Sequence, residues 1–160
     1  MSTKVSAIPE GYSSVTIYLT IRNAAEAIEF YKKAFNAKEI GRLTMGGNVI
    51  GHAELQIGNA RIMLSDEMPD WGTTSPQTLN GTAAGICIYT EDVDALFRQA
   101  VDAGATVLPN GEVKDQFYGD RSGTVLDPYG HKWTIATHIE DVTFEEMQRR
   151  SDAMFAPQNA

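Results

Sequence analysis

The sequence predicts an α+β domain built from two tandem strand-helix-strand-strand-strand (βαβββ) modules, followed by a C-terminal helix. Three observations predict it. Apolar residues alternate along short β-favouring runs at 14–22 and 83–89. Each run is followed by an apolar helical stripe: Ala27, Ile28, Tyr31, Ala34 and Phe35 in one half, Leu96, Phe97, Ala100 and Val101 in the other. The order of elements then repeats, with Ala27-Ile28 and Ala95-Leu96 at the same point of the two halves, and likewise Asn36-Ala37 and Gly104-Ala105.

Taken in order, residues 1–12 are polar, carry Pro9 and Gly11, and read as a flexible arm. In 14–22, Val15, Ile17, Leu19 and Ile21 oppose Thr16, Tyr18 and Thr20, the period of a half-buried strand. Asn23 with Glu26 makes a capping-box-like start for the first helix, and Asn36 a left-handed stop. Residues 38–45 form a weaker strand closed by Gly46-Gly47-Asn48, and 49–57 pairs with 60–65 across the turn Gly58-Asn59. The segment 66–82 carries two prolines and Trp71 and reads as a linker. Strand 83–89, helix 92–103 ending at Gly104, a strand from 106, and a loop at Pro109-Asn110-Gly111 follow. Thr143 and Glu146 open a tail helix that reaches about residue 155. The expected organisation is thus an arm (1–12), one domain (13–140) and a helical tail (141–160). The domain divides into module one (13–66), linker (66–82) and module two (83–140).

The net charge of −8 argues against nucleic acid or an anionic membrane as the main partner. No apolar run approaches the ~20 residues of a membrane helix, and the N-terminal residues lack the apolar core of a signal peptide. The single cysteine, Cys87, allows no internal disulfide and fits a reducing compartment. A cytoplasmic protein is expected.

The stretch 116–138 carries the strongest motif. Its centre, Asp127-Pro128-Tyr129-Gly130-His131, has the composition of a type I turn, with Asp first, Pro second and Gly last. Thr124-Val125-Leu126 and Trp133-Thr134-Ile135 flank it as the strands of a hairpin. A strand, an Asp-Pro-aromatic-Gly-His turn and a Trp-bearing strand resemble the last hairpin of the vicinal oxygen chelate superfamily of glyoxalases, bleomycin-resistance proteins and extradiol dioxygenases. The longer run, from Tyr118-Gly119-Asp120-Arg121 to Ala136-Thr137-His138, is similar to the PhnB-like branch of that superfamily. The resemblance spans roughly residues 14–140 and implies that the two modules curve into a half-open barrel around a cavity.

The resemblance also implies where ligands of a divalent metal belong. The first-strand position, normally His, falls at Thr16, the second-half His position at Gly85, and the last-hairpin Glu position at Thr134. Only Glu54, late in the first module, keeps a donor. Threonine and glycine are not primary side-chain ligands of zinc, nickel or manganese. No metal site and no cofactor are therefore expected, and a divalent metal belongs to the alternative reading alone.

His52 and Glu54 are two apart on a strand and share a face, which Gln56 continues. They are candidates for acid-base work, metal binding or ligand recognition. Thr16, Tyr18, Gln56, Cys87, Tyr89, Arg121 and Thr134 are expected to line the ligand site, with Arg121 offering a guanidinium to a ligand anion or pairing within the chain. Cys87 reads as a small apolar residue, Trp133 as core, and His131 and His138 as structural. Trp71 fits either a lid or a dimer contact.

Two functions follow from different classes. One is a homodimeric glyoxalase/bleomycin-resistance-like protein that holds a small organic molecule without metal. The other is an enzyme of glyoxalase, lyase or isomerase type that uses His52 and Glu54 as ligands or as acid and base. The residues leave open whether a reaction is catalysed.

Overall fold

The structure is a computed structural model and describes residues 5–156. The first module runs β1 (Ile17–Ile21), α1 (Ala24–Phe35), β2 (Lys38–Thr44), β3 (Ile50–Ile57) and β4 (Ala60–Asp66). A 3₁₀ turn at Pro69–Trp71 and a short helix α2 (Pro76–Leu79) lie in the linker. The second module runs β5 (Gly85–Tyr89), α3 (Val93–Ala103), β6 (Thr106–Val107), β7 (Lys114–Asp115), β8 (Asp120–Leu126) and β9 (Lys132–His138), and α4 (Phe144–Phe155) closes the described chain. The two expected first strands are β1 and β5, at equivalent places in the two modules.

Each module forms its own sheet. The strand order is β1-β4-β3-β2 in the first and β5-β9-β8-β6 in the second, with β7 added beside β8. In both, the first strand pairs in parallel with the last and the remaining ladders are antiparallel. β1 and β5 are consequently free edges.

One helix covers one face of each sheet. Leu19, Ile21, Ala53, Leu55, Ile62 and Leu64 are buried from the strands, and Ala24, Ala27, Ile28, Tyr31, Ala34 and Phe35 from α1. In the second module Trp133, Ile135 and Val125 face α3, and the ring of Phe97 approaches Gly123 so closely that a Cβ there would meet it at 2.6 Å. The strand period of two then turns the alternate residues to the open face of each sheet.

The modules are joined through the last hairpin. Asp127, buried in the turn, accepts backbone N–H bonds from Tyr129 and His131 through Oδ1, both at 2.9 Å. Its Oδ2 accepts from Trp133 Nε1 at 2.8 Å and from Tyr31 Oη, on α1 of the other module, at 2.7 Å. His131 Nε2 donates to the Thr20 carbonyl of β1 at 3.2 Å. Phe35 packs on Trp133 with ring centroids 4.6 Å apart, and Gln99 of α3 donates to the Lys33 carbonyl of α1 at 2.8 Å.

Local chemistry departs from expectation at four places. Asn23 takes a left-handed conformation (φ 64) with no side-chain cap, and Asp66 of β4 accepts the Ala24 N–H instead at 2.9 Å. Thr143 does cap α4, accepting from Glu146 N at 3.2 Å, while the Glu146 carboxylate pairs with Arg149 and Arg150 rather than closing the box. The linker is docked: Glu67 accepts from Ser75 N at 2.9 Å and Thr78 Oγ1 at 2.6 Å, and Gln77 donates to the Pro128 carbonyl at 3.1 Å. Of the arm, residues 1–4 lie outside the described residues, and Pro9–Tyr12 forms a turn folded onto Arg61.

Candidate functional site

The open face of the first sheet gathers Tyr18 from β1, His52 and Glu54 from β3, and Arg61 from β4. Register places them together, since Tyr18 and Glu54 both pair with Met63. Tyr18 Oη lies 3.0 Å from His52 Nδ1, and His52 Nε2 lies 3.4 Å from Glu54 Oε1. This chain is satisfied when the phenol donates to Nδ1 and the Nε2 proton faces the carboxylate. Arg61 Nη1 is 3.8 Å from Glu54 Oε2, with its guanidinium over the Tyr12 ring at 4.9 Å.

Burial alone raises a carboxyl pKa, but Glu54 moves the other way. The Tyr12 hydroxyl, turned toward it without completing a well-formed hydrogen bond, acts with His52 and Arg61 to hold the Glu54 pKa below the ordinary value, against desolvation. Glu54 stays ionised near neutral pH and acts as a hydrogen-bond acceptor and a weak base.

The open face of the second sheet carries a related trio. Tyr89 of β5 donates to Asp120 Oδ2 at 2.7 Å, and His138 Nδ1 bonds Asp120 Oδ1 at 2.8 Å. The other His138 nitrogen meets Asp141 at 2.9 Å. Asp120 pushes the Tyr89 phenol up to about 12, and Asp120 and Asp141 raise His138 above its usual value. Cys87 lies on the same face and is exposed to solvent, yet partial desolvation by its neighbours and the nearby Asp120 raise its thiol pKa, which disfavours a nucleophilic thiolate. Thr134 is bonded to Thr124 at 3.1 Å.

The edges β1 and β5 bound a cavity of about 290 Å³ between the sheets. Its walls are apolar, with Ile17, Ile62, Ile86, Ile88 and Trp133, and Arg61, Cys87 and Tyr89 stand at its polar margin. The residues expected to line one ligand site fall on two sheets, with Tyr18, His52, Glu54 and Gln56 on one and Cys87, Tyr89 and Thr134 on the other. The amide of Gln56 donates to the Gly58 carbonyl at 3.1 Å. Thr16, half-buried, lies just before β1.

Of the two roles expected of Arg121, the structure shows the pair within the chain. Arg121 sits at the head of β8 but on the side of α3, bonding Asp94 through two nitrogens at 2.8 Å each and Asp115 at 2.9 Å. The alternation of the strand forces this, because Asp120 and Ser122 take the open face.

Residues that sequence reasoning passed over include Arg61, Tyr12 and Asp120. Arg61 stands two residues after the Gly58-Asn59 turn, in phase with Gln56 across the hairpin, a signal legible once the register is fixed. Asp120 and His138 face each other across β8 and β9, but their separation in sequence hides the pair.

The donor set does not match a divalent metal. At the positions the resemblance assigns to ligands, Thr16 and Thr134 offer hydroxyls, the latter already bonded, and Gly85 offers no side chain. No three His, Cys, Asp or Glu side chains gather into a metal site among the described residues.

Two βαβββ modules with polar groups on their open faces define the glyoxalase-like class of folds. The chain belongs to the Glyoxalase/Bleomycin resistance protein/Dioxygenase superfamily, whose family model matches residues 13–135. An uncharacterised protein of Mycobacterium bovis is 40% identical over 134 residues, covering 82% of this chain and 87% of the relative. Among solved structures, a gene product of Arabidopsis thaliana superposes with a TM-score of 0.62 at 26% identity, covering 78% of this chain and 98% of its own. The fosfomycin resistance protein FosX of Listeria monocytogenes, complexed with Mn(II) and sulfate, shares the fold with a TM-score of 0.59 at 20% identity, covering 87% of this chain and 97% of its own.

Proposed function

We propose that the protein binds a small organic molecule between its two modules without a metal ion, in the manner of a bleomycin-resistance-type binding protein of the PhnB-like branch. The observation that carries this is the cavity of about 290 Å³, apolar in its walls and polar at its margin, the usual composition of a small-molecule site. Cys87 and Tyr89 line the cavity, and Tyr18, His52, Glu54 and Thr134 lie on the open faces of the two sheets, outside its lining. The lowered pKa of Glu54 supports an acceptor role over that of a general acid.

A second reading, an enzyme using His52 and Glu54 as acid and base, is favoured by the Tyr18–His52–Glu54 chain. Two substitutions separate the readings. In a binding protein Glu54→Gln and Tyr18→Ala each cost about 1–2 kcal/mol of ligand affinity. In an enzyme Glu54→Gln costs on the order of 10²–10⁴ in rate. Both variants leaving affinity and turnover unchanged would put the site elsewhere.

The same proposal includes a cytoplasmic homodimer. β2 ends its sheet as an edge strand, with Ile40 and Leu43 exposed and Met45 exposed just beyond it, a surface that a second copy would bury. Light scattering at micromolar concentration is expected to give the mass of two chains, and the mass of one would count against the dimer.

A further inference from the structure

The sequence offers Arg121 either to a ligand anion or to a pair within the chain. That guanidinium is taken by Asp94 and Asp115. Lys132 at the start of β9 is differently placed. It pairs in register with Gly85 of β5, and because Gly85 has no side chain the lysine lies flat across it. A Cβ built on Gly85 would meet Lys132 Cε at 2.8 Å and Nζ at 3.6 Å. The ammonium therefore rests over the position from which a β5 metal ligand would project, and such a ligand could stand there only by displacing it.

Three further facts give this ammonium a task. Lys132 shares the open face with Thr134 on β9 and, through the register, with Cys87 and Leu126. No ion pair among the described residues engages it, although the chain carries a net charge of −8. It also borders a cavity of about 430 Å³ whose walls come from Leu108 and Leu126 of the second module and from Pro76 and Asn80 of the docked linker. A half-buried cation with apolar walls beside it is a receptor for an oxyanion carried on an apolar body.

We propose that Lys132 receives the anionic group of a small molecule held in the cavity beside it, standing as an organic cation on the face where the superfamily pattern calls for a metal. The inference concerns this second cavity, which shares no lining residue with the one of about 290 Å³, and goes beyond the small-molecule reading above by naming a ligand class: an aromatic or aliphatic carboxylate, with its oxyanion at Lys132 and its apolar body against Leu108 and Leu126. A lysine suits this role because its ammonium is a compact point charge on a flexible stem.

The test uses the full chain and two matched probes, 2-naphthoate and the uncharged 2-naphthamide, followed by amide NMR titration. Naphthoate is expected to bind wild-type protein about tenfold or more tightly than naphthamide, as a charge-assisted hydrogen bond requires. It should shift the resonances of Gly85, Leu126 and Lys132. Lys132→Gln should bring naphthoate down to the affinity of the amide and leave the amide unchanged. Gly85→Ala, which keeps the charge but pushes the lysine stem aside, should weaken naphthoate selectively as well. Equal binding of the two probes to wild type, or naphthoate binding untouched in both variants, overturns the role of Lys132 and leaves the small-molecule reading standing. If neither probe shifts the resonances of Gly85, Leu126 and Lys132, the role of Lys132 is overturned, and the small-molecule reading is judged by its own substitutions. The wild-type comparison of probes needs no variant, so the test survives a variant that does not fold.

Discussion

Replacing Tyr31 by Phe probes how the two modules are held in register across the cavity. The phenol of Tyr31, fully buried on α1, donates to Asp127 Oδ2 at 2.7 Å, one of four hydrogen bonds to that carboxylate. Phenylalanine keeps the ring against Phe35, Tyr129 and Trp133, so packing is conserved and the loss is confined to one bond to a charged acceptor. Such a bond is worth about 1.5–3 kcal/mol. For a chain of this length the expected fall in melting temperature is roughly 3–12 °C. Asp127→Ala removes the shared acceptor and strands buried Trp133 Nε1 and two backbone N–H groups, so it should cost on the order of 4 kcal/mol or more. Urea unfolding followed by tryptophan fluorescence measures both. A Tyr31→Phe change within about 0.5 kcal/mol of wild type would refute the claim that this bond ties the modules together.

Two predictions concern pH. The Thr78 hydroxyl, the Ser75 N–H and Arg22 lower the Glu67 pKa from 4.5 to about 2, so its contribution to stability is complete above 4.5 and is lost as pH falls toward 2. The stability difference between wild type and Glu67→Gln should shrink over that window, and a constant difference would contradict it. His138 has a folded-state pKa raised above 6.5, so its contribution is full below 6.5 and fades as pH rises through the folded value. NMR titration should place His138 above the ordinary value, with Asp120→Asn bringing it down; an unmoved midpoint in the variant would show that Asp120 is not the cause.

The fold was legible because its signals are local. Alternation along 14–22 and 83–89, the Gly58-Asn59 hairpin and the Asp127–Gly130 turn each depend on neighbours in sequence, and each forms. The turn Asp was readable as a turn residue, but its bond to Tyr31, 96 residues away, was not. The same limit explains Asn23, whose capping task passes to Asp66 from β4. It also explains the arm, since Tyr12 meets Arg61 and Glu54, both distant in sequence. The candidate site was half legible. His52 and Glu54 share a face by simple alternation, while Tyr18 joins them through the pairing of β1 and β3 with β4, which alternation alone does not give. For Arg121 a pair within the chain was legible, but its partners Asp94 and Asp115 were not, because Asp120 and Ser122 take the open face and turn Arg121 toward α3. Lys132 went unread because its role depends on the missing side chain of the residue opposite.

The measurement that bears most directly on the central claim is elemental analysis of the native protein, purified without chelators and offered zinc, nickel and manganese. The residues at Thr16, Gly85 and Thr134 predict no stoichiometric metal, whether or not a guest is bound. About one tightly held divalent ion per chain, lost on replacing His52 or Glu54, would contradict it.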